Sequence, residues 1–242
     1  MSKFSSQSYI NAALEFENIE RILLYFRVSN NLINEDILKS IRLLKSNNEK
    51  LEIPYHLNEK MEKEFLELAY YEKSLATMMY IKAMDNFENF FKEILGEIVK
   101  CEPRILKSKE KEELEFIMSF NNYEEMINAI AEKKIESLFY QGIEGIQKFF
   151  VERVGIELFK DKTEQINILM KQRNIAVHNR SKISKELVRQ FPNEGYVENM
   201  YLDFRFEYVE KIVAALYKIV SELETQFSSK FNIPQIEHKN NG

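Results

Sequence analysis

Residues 68–91 read LAYYEKSLATMMYIKAMDNFENFF. Leu68, Ala69, Tyr70, Leu75, Met78, Met79, Ile81, Ala83, Met84, Phe87, Phe90 and Phe91 fall nearly all round a helix wheel, as in a central helix packed on several sides. From residue 58 to residue 100 there is no proline and one glycine, Gly96, so a single helix of roughly 60 Å at about 1.5 Å per residue is predicted. An all-α bundle assembled around that helix follows.

Composition agrees with this reading. The chain has 242 residues, 45% hydrophobic and 30% charged, which suits a compact domain rather than a disordered chain or a membrane bundle. Six glycines and four prolines are too few for a turn-rich β-sandwich or a Gly-cradled nucleotide fold. A lone cysteine, Cys101, can neither close an intrachain disulfide nor complete a Cys-based zinc site. Without a signal-peptide pattern or an apolar run of about eighteen residues, a cytoplasmic protein with no membrane association is expected.

Outward from the central helix, helical spacing recurs at residues 9–28 and 34–46, with Asn34 able to cap the second stretch. An N-terminal helical hairpin over residues 1–57 is expected, closed by a connector at 51–57 that contains Pro54. The main helical domain then covers residues 58–228. Its further helices are predicted near 108–119, 122–140, 143–154 and 161–178, then a loop at 190–201 and a closing helix at 202–227. The closing helix would bury Phe204, Val209, Ile212, Val213, Leu216, Ile219, Val220 and Leu223. Residues 229–242 are expected to form a flexible tail.

One chemical cluster stands out. His56 falls in the connector and His238 in the tail, whereas His178 ends the segment KQRNIAVHNR, residues 171–180. On a wheel, Thr163, Glu164, Asn167, Lys171, Asn174 and His178 form a polar sector. Arg173 instead falls among Ile166, Leu169 and Val177, where a guanidinium is costly unless a carboxylate, a phosphate or an interface receives it. An ion pair with Asp85 or Glu88 of the central helix is the structural explanation. A bound phosphate or an interface is the functional one.

Charge is unevenly spread. Residues 171–189 hold Lys171, Arg173, Arg180, Lys182, Lys185 and Arg189 against Glu186 alone, a net of +5 in a chain of net −5. A basic patch on an acidic protein suits a polyanion held at one place, although basic residues after a helix C-terminus also complement the macrodipole. Paired carboxylates such as Glu112 and Glu113 read as a solvated face.

RNIAVH, residues 173–178, resembles the Arg, four to six residues, His signature of HEPN-domain ribonucleases, within a chain whose aromatic-rich long helix and late motif helix also look like that family over residues 60–228. The branch it is most similar to includes nucleases of prokaryotic toxin and phage-defence systems. The resemblance implies a metal-independent endoribonuclease with no cofactor, acting as a homodimer in which two motif helices form one cleft, with an antitoxin or defence-system protein as a further partner. Arg173 would clamp phosphate, Asn174 orient, and His178 exchange protons; Lys171, Arg180, Lys182, Lys185 and Arg189 would hold flanking RNA backbone. Tyr196 and Tyr201 could stack on bases. A non-catalytic helical binding module and a purely structural all-α protein are the alternatives.

Overall fold

The computed structural model describes residues 2–46, 55–107 and 111–239. It is all-α apart from one small ribbon. Among the described residues the long helices are α1 (Gln7–Ser46), α2 (Tyr55–Cys101) and α8 (Phe206–Phe231), which pack pairwise against one another. Between α2 and α8 in sequence lie α3 (Leu114–Met118), α4 (Tyr123–Tyr140), α5 (Gly142–Phe149), α6 (Thr163–His178) and α7 (Lys185–Gln190). Of these, α4 and α6 pack directly on α2, and α5 bridges them.

The aromatic run of α2 forms the centre. Tyr80, Phe87, Phe90 and Phe91 are almost wholly buried, and Phe91 meets Phe87, Phe150 and Phe159 edge-on at centroid distances of 5.0 to 6.0 Å. Each such side chain contributes about 1.5–3 kcal/mol through burial alone. The eight residues expected on the core face of the closing helix are all buried, though Phe204 precedes α8, whose first turn begins at Phe206.

At the N-terminus the structure departs from the expected hairpin. One helix runs unbroken from Gln7 to Ser46 where a turn was expected before Asn34. An asparagine inside a helix costs only about 0.7 kcal/mol relative to alanine, so its capping ability does not force an end. Phe16, Ile19 and Leu23 of α1 are fully buried in the common core, and Asn86 Nδ2 of α2 donates to the Ala12 carbonyl at 2.9 Å. Residues 51–54 of the expected connector, with Pro54, lie outside the described residues, as does the start of the helix expected from residue 108; its described part is the single turn α3.

The tail is also ordered by partners. Residues 229–231 complete α8, Ile233 is buried, and β2 (Ile236–Lys239) pairs antiparallel with β1 (Ser2–Ser5), Ser5 opposite Ile236 and Ser2 opposite Lys239. Four-residue strands are too short to show an alternating pattern in sequence. Beside this ribbon the buried Glu224 carboxylate accepts from Ser6 N at 2.8 Å, Ser6 Oγ at 2.6 Å and Ser228 Oγ at 2.8 Å. Glu97 accepts from Ser8 N at 2.7 Å, so carboxylates of α8 and α2 satisfy amides at the start of α1. No helix among the described residues is long and apolar enough to cross a membrane.

Candidate functional site

The site is built on α6. Ile166, Leu169, Gln172 and Ala176 are its buried positions, so the stripe facing the core is apolar except for one amide. Gln172 Nε2 donates to Tyr196 Oη at 2.8 Å, and its Oε1 lies 3.0 Å from the hydroxyls of both Tyr80 and Tyr208. The Tyr80 hydroxyl also lies 2.8 Å from the Leu169 carbonyl oxygen. Burial pushes the phenols of Tyr80, Tyr196 and Tyr208 above the ordinary tyrosine range, so all three stay protonated well beyond neutral pH. This network locks the azimuth of α6 and so decides where Arg173 and His178 point. The sequence reading missed it; the signal was a glutamine in register with Leu169 and Ala176.

Arg173 turns toward α2. Its Nε donates to Asp85 Oδ1 at 2.8 Å, Nη2 lies 2.5 Å from the same oxygen, and Nη1 donates to Asn174 Oδ1 at 3.1 Å. Of the two acids expected as partners, Asp85 is the partner and Glu88 is not: Glu88 pairs with Lys92 one turn along α2, at 2.8 Å. The Arg173 side chain is 23% exposed and Asp85 41%, so the pair sits at the edge of the core and not within it.

His178 faces the other way, as a five-residue separation on a helix requires. It is exposed, and among the described residues nothing hydrogen-bonds its imidazole. After it the chain reverses through Arg180 and Ser181 at φ 51° and 63°, a left-handed pair that costs about 1–2 kcal/mol per non-glycine residue. Ser181 N donates to the Ile175 carbonyl at 3.1 Å, Leu202 N donates to Ser181 O at 2.8 Å, and Lys182 bridges Tyr201. That reversal returns the chain as α7, capped by Ser184 Oγ accepting from Leu187 N at 3.3 Å and anchored by buried Ile183 and Leu187.

Between α6 and α7 opens a cleft of about 300 Å³, lined in part by Lys171, Asn174, His178, Glu186 and Gln190. A second cleft of about 660 Å³ adjoins it, sharing Lys171 and Gln190 and reaching Thr163, Glu164 and Asn167. The polar sector read from the sequence is therefore the wall of both clefts. Asn174 belongs to the cleft and also accepts from Arg173, so it joins the two motif residues that the helix itself separates.

The other basic residues are placed differently. Lys171 lines both clefts, whereas Arg180, Lys182, Lys185 and Arg189 line neither; Lys185 and Arg189 are exposed on α7, a helix the spacing did not predict. Tyr196 is engaged by Gln172 and half-buried, while Tyr201 is 61% exposed. Among the described residues no three His, Cys, Asp or Glu side chains gather as a metal cage. No protein-family model, curated protein or solved structure was found to match the chain.

Proposed function

We propose that this protein is an endoribonuclease of the HEPN type that cleaves RNA without a metal ion, in the cleft between α6 and α7. The observation that carries the reading is the Arg173–Asn174–His178 arrangement: a cleft-facing histidine with no hydrogen-bond partner among the described residues, and an amide beside it that is tied to a guanidinium. RNA supplies its own nucleophile. The 2′-oxygen attacks the adjacent phosphorus while its proton passes to a base, the bond from phosphorus to the 5′-oxygen breaks, and that oxygen is protonated. A 2′,3′-cyclic phosphate and a 5′-hydroxyl result. His178 is the proton-exchange group; Arg173, which faces Asp85 and lines neither cleft of its own chain, neutralises charge developing on the phosphorane only in a composite site formed with a second copy, and Asn174 fixes the guanidinium.

A second copy completes the site in this reading. Val177, one turn after Arg173, is 42% exposed, and Met78, two turns before Asp85, is 61% exposed, so apolar surface flanks the pair where a twofold mate would cover it. A cytoplasmic toxin or phage-defence role, with an antitoxin or defence partner, belongs to the same proposal and rests on the resemblance. The engagement of Arg173 by Asp85 favours one other reading, an RNA-binding module that does no chemistry.

The two are separated by incubating the protein with a mixed RNA pool in EDTA, alongside His178→Ala. Cleavage that persists in EDTA, leaves cyclic-phosphate ends and vanishes in the variant is expected. RNA binding with no cleavage in either protein would select the binding module.

A further inference from the structure

A third cleft, of about 540 Å³, lies between α4, α5 and the turn Pro103–Leu106. Among the described residues its wall carries Lys107, Lys111, Lys133, Lys134, Lys148 and Arg153 against Glu112 and Glu152, a net of +4 in a chain of net −5. Lys133 is drawn to Glu112 at 2.7 Å. Among the described residues, Lys107, Lys111, Lys148 and Arg153 have no carboxylate at ion-pair distance, although all four are exposed. Unpaired like charges gathered round one concavity repel one another, and an anion that enters relieves the repulsion. The floor is apolar, with buried Ile105, Leu106 and Leu138 and half-buried Phe149.

This cleft adjoins the site through one shared residue. Gln141 lines both it and the 660 Å³ cleft, which in turn shares Lys171 and Gln190 with the His178 cleft. Gln141 stays in place by lying on bare backbone: a Cβ at Gly145 would come within 2.5 Å of Gln141 Cβ. Beside this junction, Tyr140 is 92% exposed, the highest value among the large hydrophobic side chains described. A basic trough, an exposed aromatic ring and a succession of adjoining clefts toward the reacting group match the needs of a single strand, whose phosphates bind cations and whose unpaired bases stack.

The geometry points to a single-stranded RNA path that starts in the α4–α5 cleft, passes Gln141 and ends at His178. Lys107, Lys148 and Arg153 hold the backbone remote from the scissile phosphate. The inference rests on the ribonuclease reading. It makes affinity depend on strand length, because a short oligonucleotide fills only the α6–α7 cleft and a long one also fills the basic cleft.

The test uses full-length protein carrying His178→Ala, so that RNA stays intact, and measures anisotropy of labelled oligouridylate, short and long, across a salt series. In that background Lys107→Glu, Lys148→Glu and Arg153→Glu are combined, with Lys211→Glu and Lys218→Glu on α8 as the control for charge reversal away from the cleft; circular dichroism checks folding. The cleft variant is expected to bind the long strand at least tenfold more weakly, with its log–log salt slope reduced by about 2 for three lost phosphate contacts. Short-strand affinity and the control variant should not change. Long-strand binding that survives the cleft reversal with an unaltered slope overturns the path and leaves the ribonuclease reading standing, as it would if the cleft served an acidic protein. Absence of RNA binding in every protein, parent included, removes both.

Discussion

Arg173→Ala separates a chemical role from a structural one, because the structure bounds what the side chain can contribute to stability. Both nitrogens facing Asp85 converge on the single oxygen Oδ1, so the pair lacks the fork-to-fork geometry of the strongest Arg–carboxylate contacts. Asp85 is 41% exposed and regains water when the guanidinium is removed. Pairs of this kind contribute about 0.2–1 kcal/mol, and loss of the aliphatic stem raises the cost to roughly 1–2 kcal/mol. A buried pair broken on one side would cost about 3–5 kcal/mol. At about 2–4 °C per kcal/mol for a chain of this size, Arg173→Ala should lower the melting midpoint by about 2–8 °C. Urea titration of Arg173→Ala, Asp85→Ala and the double variant should give a coupling energy near 1 kcal/mol. RNA cleavage by Arg173→Ala, assayed well below its midpoint, should be abolished. A stability loss above roughly 3 kcal/mol would refute the placement of Arg173 at the edge of the core. Retained cleavage would refute its part in the chemistry.

Gln172→Leu keeps the volume of the buried amide but strands the hydroxyls of Tyr196 and Tyr208, so a loss of about 2–3 kcal/mol is expected in denaturant titration. Glu224→Ala removes the acceptor of two hydrogen bonds from Ser6 at the start of α1 and one from Ser228 of α8, at a cost of about 2–4 kcal/mol, and amide exchange should speed up first at residues 6–12. The Glu20 carboxyl is raised above the ordinary glutamate range by burial and by the neighbouring Glu17 and Glu210, so its ionisation opposes folding as pH rises through that range. Glu20→Gln should therefore raise the melting midpoint at pH 7 and leave it unchanged at pH 3, and an equal shift at both values would contradict the electrostatic cause.

Legibility followed the range of the interactions concerned. The helical period of α2, α4, α6 and α8 is a local signal, and each helix lies close to where its apolar spacing placed it. The polar sector from Thr163 to His178 was equally legible, since residues four apart on a helix must share a face, and it forms the wall of two clefts. Arg173 could be recognised as misplaced, but a wheel offers Asp85 and Glu88 alike; the rotation of α2 against α6 selects Asp85. Helix α7 escaped notice because six residues hold less than two turns, although Ser184 ahead of Leu187 was a capping signal. The ribbon of β1 and β2 joins residues more than two hundred positions apart, for which no local pattern exists.

By itself, then, the sequence determined an all-α chain, its central aromatic helix, the closing helix and one helix bearing Arg173, Asn174 and His178, because periodicity and side-chain type act within a few turns. Tertiary structure alone decided that α1 is one helix sharing the common core and that the tail is pinned beside Glu224. It also brought six basic residues, from Lys107 to Arg153, around one cleft. In sequence those residues are interspersed with acids and carry no net signal. Packing of α4 against α2 and of α5 against α4 turns the basic side chains toward one concavity, and proximity in space, on which Coulomb interaction depends, is fixed only by that packing.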